Sequence, residues 1–131
     1  MKLQNLVLAA VLSVTAASAN DIMKKSMGIM QSGIEMVQYG FINNNVDMIK
    51  DGLAKIKEGN NLFSDKATIA KYLPKEKSHM VNVAENASKR ISLDANIIEL
   101  NLDDKAYIKA AEGYSDMLNA CSRCHGIVRS W

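Results

Sequence analysis

Apolar positions recur every three or four residues along most of the chain, with polar positions between them. This spacing puts apolar side chains on one face of an α-helix, and no long segment alternates as a strand would. Four such stripes are present: Met23, Met27, Met30, Ile34, Val37 and Phe41; Val46, Ile49, Leu53, Ile56 and Phe63; Met80, Ala84, Ala87, Ile91, Ala95, Ile98 and Leu102; Ala110, Tyr114, Met117, Cys121, Cys124 and Val128. The pattern predicts an all-α protein with four amphipathic helices.

Polar and turn-forming residues mark where these helices end. The three asparagines at 43–45 separate the first two helices, and a tight turn is expected at Asp103 or Asp104, one of which would be the N-cap of the fourth helix. Residues 64–74 form the longest connection, and Pro74 suits the first turn of the third helix. Because short connections favour antiparallel neighbours, we expect an up-down-up-down antiparallel four-helix bundle.

The amino-terminal segment departs from this pattern. Residues 1–19 carry one positive charge at Lys2, then a short apolar run, then small residues. The run is shorter than the roughly 20 residues that a membrane-spanning helix needs, which makes a membrane anchor the weaker interpretation. We therefore expect a secretory signal peptide cleaved after Ala19, a mature domain of residues 20–131 without a membrane span, and a periplasmic location.

Charge and composition narrow the function. The sequence has 16 basic and 14 acidic side chains, and only 5% of its residues are aromatic. A surface for nucleic acid would need a basic patch interleaved with aromatic stacking residues, which this sequence lacks. We expect no nucleic-acid partner.

Both cysteines of the chain lie near its carboxyl terminus, directly before one of its two histidines. On a helix, Cys121 and Cys124 share a face, and His125 borders that face because it lies four residues from Cys121. C-x-x-C-H is the attachment motif of c-type haem. The two thiols add to the two vinyl groups of the porphyrin, and the adjacent imidazole reaches the iron. The motif predicts one covalent haem near the carboxyl-terminal end of the last helix, and it agrees with export, because bacteria attach this haem outside the cytoplasm.

Three other kinds of site use closely spaced cysteines. A redox-active C-x-x-C usually begins a helix that follows a strand, where the helix dipole lowers the thiol pKa. A zinc site needs four ligands, and only His79 remains as a further soft ligand. A disulfide across three residues closes a small loop and adds little stability. A haem-free thiol–disulfide module stays as an alternative function of another class.

With this motif at the end of a helical chain, the sequence resembles the class II cytochromes c, which comprise cytochrome c′ and its low-spin relatives. The family signature C-x-x-C-H-x-x-x-R is matched by Cys121, Cys124, His125 and Arg129. The resemblance implies a four-helix bundle, and it implies that Arg129 contacts a haem propionate or shapes access to the His125 side. As a basic residue in a last helical turn, Arg129 would equally suit the helix dipole.

The sixth ligand of the haem iron, on the face opposite His125, decides the function within this family. The resemblance implies an electron carrier where a first-helix methionine binds the iron, and a protein that binds nitric oxide or carbon monoxide where the iron is five-coordinate. Side chains lean toward the amino terminus of their own helix, so the methionine must lie a few residues nearer the turns than the histidine. Met27 fits this offset best, and Met30 and Met23 each miss it by about one turn.

Other roles for these residues stay open. Methionines at helical spacing also fill cores. The family usually has an Arg-Gln pair before the ligand, where this chain has Met23 and Lys24. His79 is an alternative sixth ligand, and Phe63 and Tyr72 are candidates for the cavity wall.

These observations combine into one expectation. The protein is a monohaem electron carrier rather than an enzyme, with His125 and Met27 as iron ligands and periplasmic redox proteins as partners. A five-coordinate protein that binds nitric oxide or carbon monoxide is the alternative. Ile22, Ile29 and Met36 lie off the main apolar stripe and would allow a homodimer through the first helix.

Overall fold

The computed structural model describes the backbone of residues 2–129 and the side chains of residues 22–129. Its helices are α1 (Lys2–Ile42), α2 (Val46–Asn61), α3 (Lys66–Ala70), α4 (Val81–Asp103) and α5 (Tyr107–Val128), with a 3₁₀ helix (Lys75–Met80) before α4. No strand occurs in this described part of the chain, so the predicted all-α class is confirmed, and the helices are compatible with a bundle.

The predicted signal peptide, residues 1–19, and its cleavage site after Ala19 lie outside the residues whose side chains the structure describes. Both stay predictions. Within the described residues, no helix has both the length and the apolar composition that crossing a membrane requires. Ile22 is exposed, Ile29 and Met36 are half-buried, and the homodimer stays a prediction.

The asparagine run ends the first helix where the sequence predicts. Helix α1 ends at Ile42, Asn44 has a positive φ of 54°, and Asn45 is the N-cap of α2. The Asn45 side chain accepts a hydrogen bond from the Met48 N–H at 3.0 Å, which satisfies one of the free donors of the first turn.

The predicted cap of the last helix is wrong. Helix α4 runs to Asp103, Lys105 adopts a positive φ of 57°, and the residue before α5 is Ala106, which makes no side-chain cap. The left-handed residue moves the start of α5 beyond both aspartates. Asp103 instead accepts a hydrogen bond from Lys50 of α2 at 2.6 Å.

The connection after α2 contains more helix than the sequence pattern predicts. It holds α3, whose N-cap Asp65 accepts from the Thr68 N–H at 2.9 Å, and then the 3₁₀ helix. Pro74 precedes this 3₁₀ helix rather than occupying the first turn of α4. Helices of five and six residues are too short to show an apolar stripe, which explains the difference.

Helices α1 and α2 form an antiparallel pair in direct backbone contact. A Cβ on Gly52 would lie 2.6 Å from the carbonyl oxygen of Gly33, and a Cβ on Gly59 would lie 2.8 Å from that of Ser26. The Ser26 hydroxyl, fully buried, donates to the Gly59 carbonyl at 2.7 Å. Glycine at these positions lets the two backbones approach closer than any side chain would permit.

Polar side chains fix α2 against α4. The buried Asn60 donates to the Ser88 carbonyl at 2.9 Å and to the Ser92 hydroxyl at 2.8 Å, and it accepts from the Ser88 hydroxyl at 2.8 Å. Lys57 pairs with Glu99 at 2.8 Å. The buried amide therefore has its donors and its acceptor satisfied, and it sets the register of the two helices.

The long helices pack in chain order. Helix α1 packs on α2, α2 on α4, and α4 on α5, whereas α1 and α5 make few close backbone approaches in the described structure. One apolar core lies along these helices, and a second cluster surrounds Phe63, Ile69, Ala84 and Ile127 beside the connection. The gap between α1 and α5 opens where the two clusters meet.

Candidate functional site

A cavity of about 450 Å³ lies between α1 and α5. All four elements around it supply side chains: Met27, Met30, Gln31, Ile34 and Glu35 from α1; Asn60 and Phe63 from the end of α2 and just beyond; Ser88 and Ile91 from α4; Cys121, Cys124, His125 and Arg129 from α5 and its C-cap. The five residues that the sequence marks as cofactor-binding, including Met27, thus line one cavity.

The two thiols lie on the α5 wall. Cys124 is 7% exposed, Cys121 is half-buried, and both are free in the described structure. Burial, followed by the charge of the neighbouring Cys124, raises the pKa of Cys121 to about 11, and burial raises the pKa of Cys124 as well. Both thiols are therefore protonated at neutral pH. In redox-active C-x-x-C sites, by contrast, the pKa of the reactive thiol is lowered.

The imidazole beside them is held neutral. His125 is half-buried, and burial lowers its pKa, with the positive charge of Arg129 adding to the effect. At pH 7 a histidine with a lowered pKa keeps a lone pair on one ring nitrogen, which is the form that binds metals.

The end of α5 is fastened to the preceding connection. The Lys77 ammonium donates to the Gly126 carbonyl at 2.8 Å, and the Arg129 N–H donates to the His125 carbonyl at 2.8 Å. These bonds satisfy carbonyls of the last turn, which lack partners within the helix. They hold the turn that carries His125.

Two methionines lie on the opposite, α1 wall. Met27 is half-buried, and Met30 is 8% exposed. The Met30 Cγ lies over Gly59, only 2.7 Å from where a Cβ of that glycine would be, so Met30 fills space between α1 and α2. Met23 packs in the second cluster and is not among the residues that line the cavity.

The remaining candidates divide between the cavity and its surroundings. His79 is exposed on the 3₁₀ helix and is absent from the cavity lining. Phe63 lines the cavity, and the Tyr72 ring packs behind it at a centroid distance of 5.1 Å. The Tyr72 hydroxyl is buried without a hydrogen-bond partner among the described residues.

The polar part of the lining was missed by the sequence pattern. Asn60 appears in the sequence only as a break in an apolar stripe, yet it lines the cavity together with its partner Ser88. The sequence did contain a signal that could have revealed this contact. Asn60 is a polar residue at a core position, and another predicted helix carries two serines four residues apart, Ser88 and Ser92.

Comparison of the chain with protein-family models, curated proteins and solved structures found no match. Within the described residues, no group of three or more His, Cys, Asp or Glu side chains is arranged to hold a metal ion.

Proposed function

We propose that the protein is a periplasmic monohaem c-type cytochrome of the class II kind that carries single electrons. In this proposal the four long helices form an antiparallel up-down-up-down bundle, with one haem bound covalently to Cys121 and Cys124 beside the last helix. The single observation that carries the proposal is the cavity, because it has the two thiols and His125 on one wall and Met27 and Met30 on the other.

The residues of the cavity fit such a group. Its volume of about 450 Å³ lies within the range of roughly 300–1,000 Å³ typical of small-molecule and cofactor sites. Its walls are mainly apolar, and the protonated thiols of Cys121 and Cys124 can each add S–H across a vinyl double bond to form a thioether. When bound, haem iron supplies a one-electron Fe(III)/Fe(II) couple.

The chain's own residues would tune that couple. His125, neutral and fastened through the last turn of α5, would bind the iron on one side. A methionine as a second ligand would raise the reduction potential relative to bis-histidine ligation, which suits an electron carrier. Arg129, at the cavity edge, would pair with a propionate.

Of the two wall methionines, we propose Met27 as the ligand. Met30 already packs over Gly59 in the narrow contact between α1 and α2, and moving it would leave a void there. Met27 is less buried than Met30, packs against the second cluster, and lies at the height along the helix that the lean of the side chains favours.

A visible absorption spectrum tests this proposal. The chain is made with a haem-attachment system, and oxidised and reduced forms are recorded with and without carbon monoxide. We expect covalent haem with a low-spin spectrum that carbon monoxide does not change. Met27→Ala should become high-spin and bind carbon monoxide, whereas Met30→Ala and the control Met23→Ala should stay low-spin.

Each other result points to a different function. A wild-type protein that is high-spin and binds carbon monoxide at once would favour the five-coordinate, gas-binding alternative. Loss of the low-spin spectrum in Met30→Ala alone would show that Met30, and not Met27, is the ligand. Failure to attach haem, with Cys121 and Cys124 intact, would favour the haem-free thiol–disulfide module.

A further inference from the structure

Charge is distributed unevenly between the two ends of the helices. The turn between α1 and α2 and the turn between α4 and α5 lie at one end, because Lys50 pairs with Asp103 there. We call this half, residues 29–56 and 92–117, the turn end; it has four basic and nine acidic side chains, a net of −5. The other half, residues 22–28, 57–91 and 118–129, is the motif end; it has eleven basic and four acidic side chains, a net of +7.

Much of this positive charge is free to act on a partner. Five cations of the motif end are exposed and make no ion pair or hydrogen bond among the described residues: Lys24, Lys25, Lys66, Lys75 and Arg123. A separation of opposite net charges along one molecule produces a field that orients it during diffusion. The motif end would therefore turn toward a negative surface.

A groove lined mainly by residues of the motif end gives this surface a concave shape. It has a volume of about 430 Å³ and lies between α4 and α5, and its lining includes Val83, Ala87, Ala120 and Arg123 together with Asp116 of the turn end. Arg90 also lines the groove, but it is engaged by Asp94 at 2.7 Å and Asp116 at 3.5 Å. Arg123 is thus the cation of the groove without an ion pair in the described structure.

Arg123 lies between the two cysteines in sequence but lines a different cavity from them. The thiols line the cavity between α1 and α5, whereas Arg123 lines the groove between α4 and α5. A group bound at Arg123 would therefore be separated from the attachment thiols by little more than the α5 helix itself.

We propose that the motif end is the docking surface for an acidic face of a protein partner, with Arg123 and its groove at the centre of the contact. The proposal rests on the proposed function in that the partner would be a redox protein. A protein is favoured over an anionic bilayer because the groove is concave and the cations are spread over several elements rather than gathered in one polybasic run. Arginine beside an apolar floor is also a common centre of protein interfaces.

Binding of poly-L-glutamate to the haem-loaded chain tests the proposal, with amide chemical shifts recorded by NMR at low and high salt. Shifts should concentrate at the motif end and around Arg123, and affinity should fall as salt rises. The charge-reversed pair Lys75→Glu with Arg123→Glu should bind about tenfold more weakly. The matched pair Lys55→Glu with Lys109→Glu, at the turn end, changes net charge equally and should bind within about twofold of wild type.

A second reversed pair, Lys66→Glu with Lys71→Glu, keeps the test away from the attachment motif and should also weaken binding. Equal losses in the motif-end and turn-end pairs would overturn the proposal, because net charge alone would then explain binding. Binding to phosphatidylglycerol vesicles but not to poly-L-glutamate would overturn it in favour of a membrane. The haem absorbance of the same samples reports separately on the proposed function, so its loss is distinguishable from loss of binding.

Discussion

The two helical hairpins that wall the cavity are built differently. Helices α1 and α2 touch through glycine and backbone, with Gly33 and Gly52 facing each other. Between α4 and α5, a Cβ on Gly113 would meet side-chain atoms and no backbone atom of α4, and the nearest of them is Cγ1 of Ile98. The α1 wall is therefore set by rigid backbone contact, whereas the α5 wall can adjust by side-chain movement.

The largest effect is expected when the same substitution, glycine to alanine, is compared in the two hairpins. In Gly52→Ala the new Cβ would lie 2.6 Å from the Gly33 carbonyl oxygen and 2.8 Å from a Val37 methyl, so the helices must move apart. We expect the free energy of unfolding to fall by about 2 kcal/mol, measured by urea denaturation. In Gly113→Ala the new Cβ would meet Ile98 at 3.0 Å, and the change should stay within about 1 kcal/mol.

A third glycine serves as the control for helix propensity. Nothing lies within 4 Å of a Cβ on Gly28, so Gly28→Ala should raise stability by about 0.5–1 kcal/mol. If Gly52→Ala and Gly113→Ala destabilised equally, the proposed contrast between the hairpins would be incorrect.

The next effect concerns the polar contact that joins the hairpins. Asn60→Ala removes three hydrogen bonds and leaves the buried Ser88 hydroxyl without its acceptor. Unsatisfied buried groups cost about 1–3 kcal/mol each, so a loss of about 2 kcal/mol is expected in the same assay. The neighbouring exposed Asn61→Ala is the control and should change stability by less than about 0.5 kcal/mol.

The smallest effect is a pH dependence located in the α5 wall. The folded-state pKa of Cys121, about 11, lies above its ordinary value of 9.0. The unfolded chain thus loses this proton first, so the contribution to stability is present below pH 9 and disappears as the pH rises toward 11. Between pH 8 and 10.5, the haem-free chain should lose roughly 1–2 kcal/mol through this group.

The Cys121→Ala variant separates that contribution from those of Tyr114 and Cys124, whose pKa values burial also raises. Urea unfolding of both haem-free chains at the two pH values gives the difference. An identical loss in wild type and variant would show that the thiol does not titrate as its burial requires. In the haem-loaded wild-type protein the thiol would be a thioether that cannot lose a proton, so the loss of stability through Cys121 should vanish.

Features that depend on residues close together in sequence were predictable. The stripe from Met23 to Phe41, the asparagine run after Ile42 and the shared helix face of Cys121 and Cys124 predict helices that the structure contains. Each depends only on the helix period or on a local turn signal.

Features that depend on two elements at once were not predicted. Gly52 and Gly33 add nothing to an apolar stripe, although the seven-residue spacings Gly33–Gly40 and Gly52–Gly59 were a usable signal. The partner of Asp103 is Lys50 on another helix, and no local cap rule contains that information. Similarly, Asn60 acquires its role only opposite Ser88.

The order of packing along the chain also bears on how the protein assembles. Helix α1 contacts the helix that follows it, and α4 does the same with α5, so each hairpin is stabilised by contacts between residues close in sequence. Such contacts close shorter loops at a lower entropic cost, so we expect them to form before contacts between the two ends of the chain. The walls that carry Met27 and His125 belong to the first and last helices, whose meeting requires closure of almost the whole chain. We therefore expect each hairpin to form before the cavity between α1 and α5 closes, which leaves Cys121 and Cys124 accessible from the α1 side until that step.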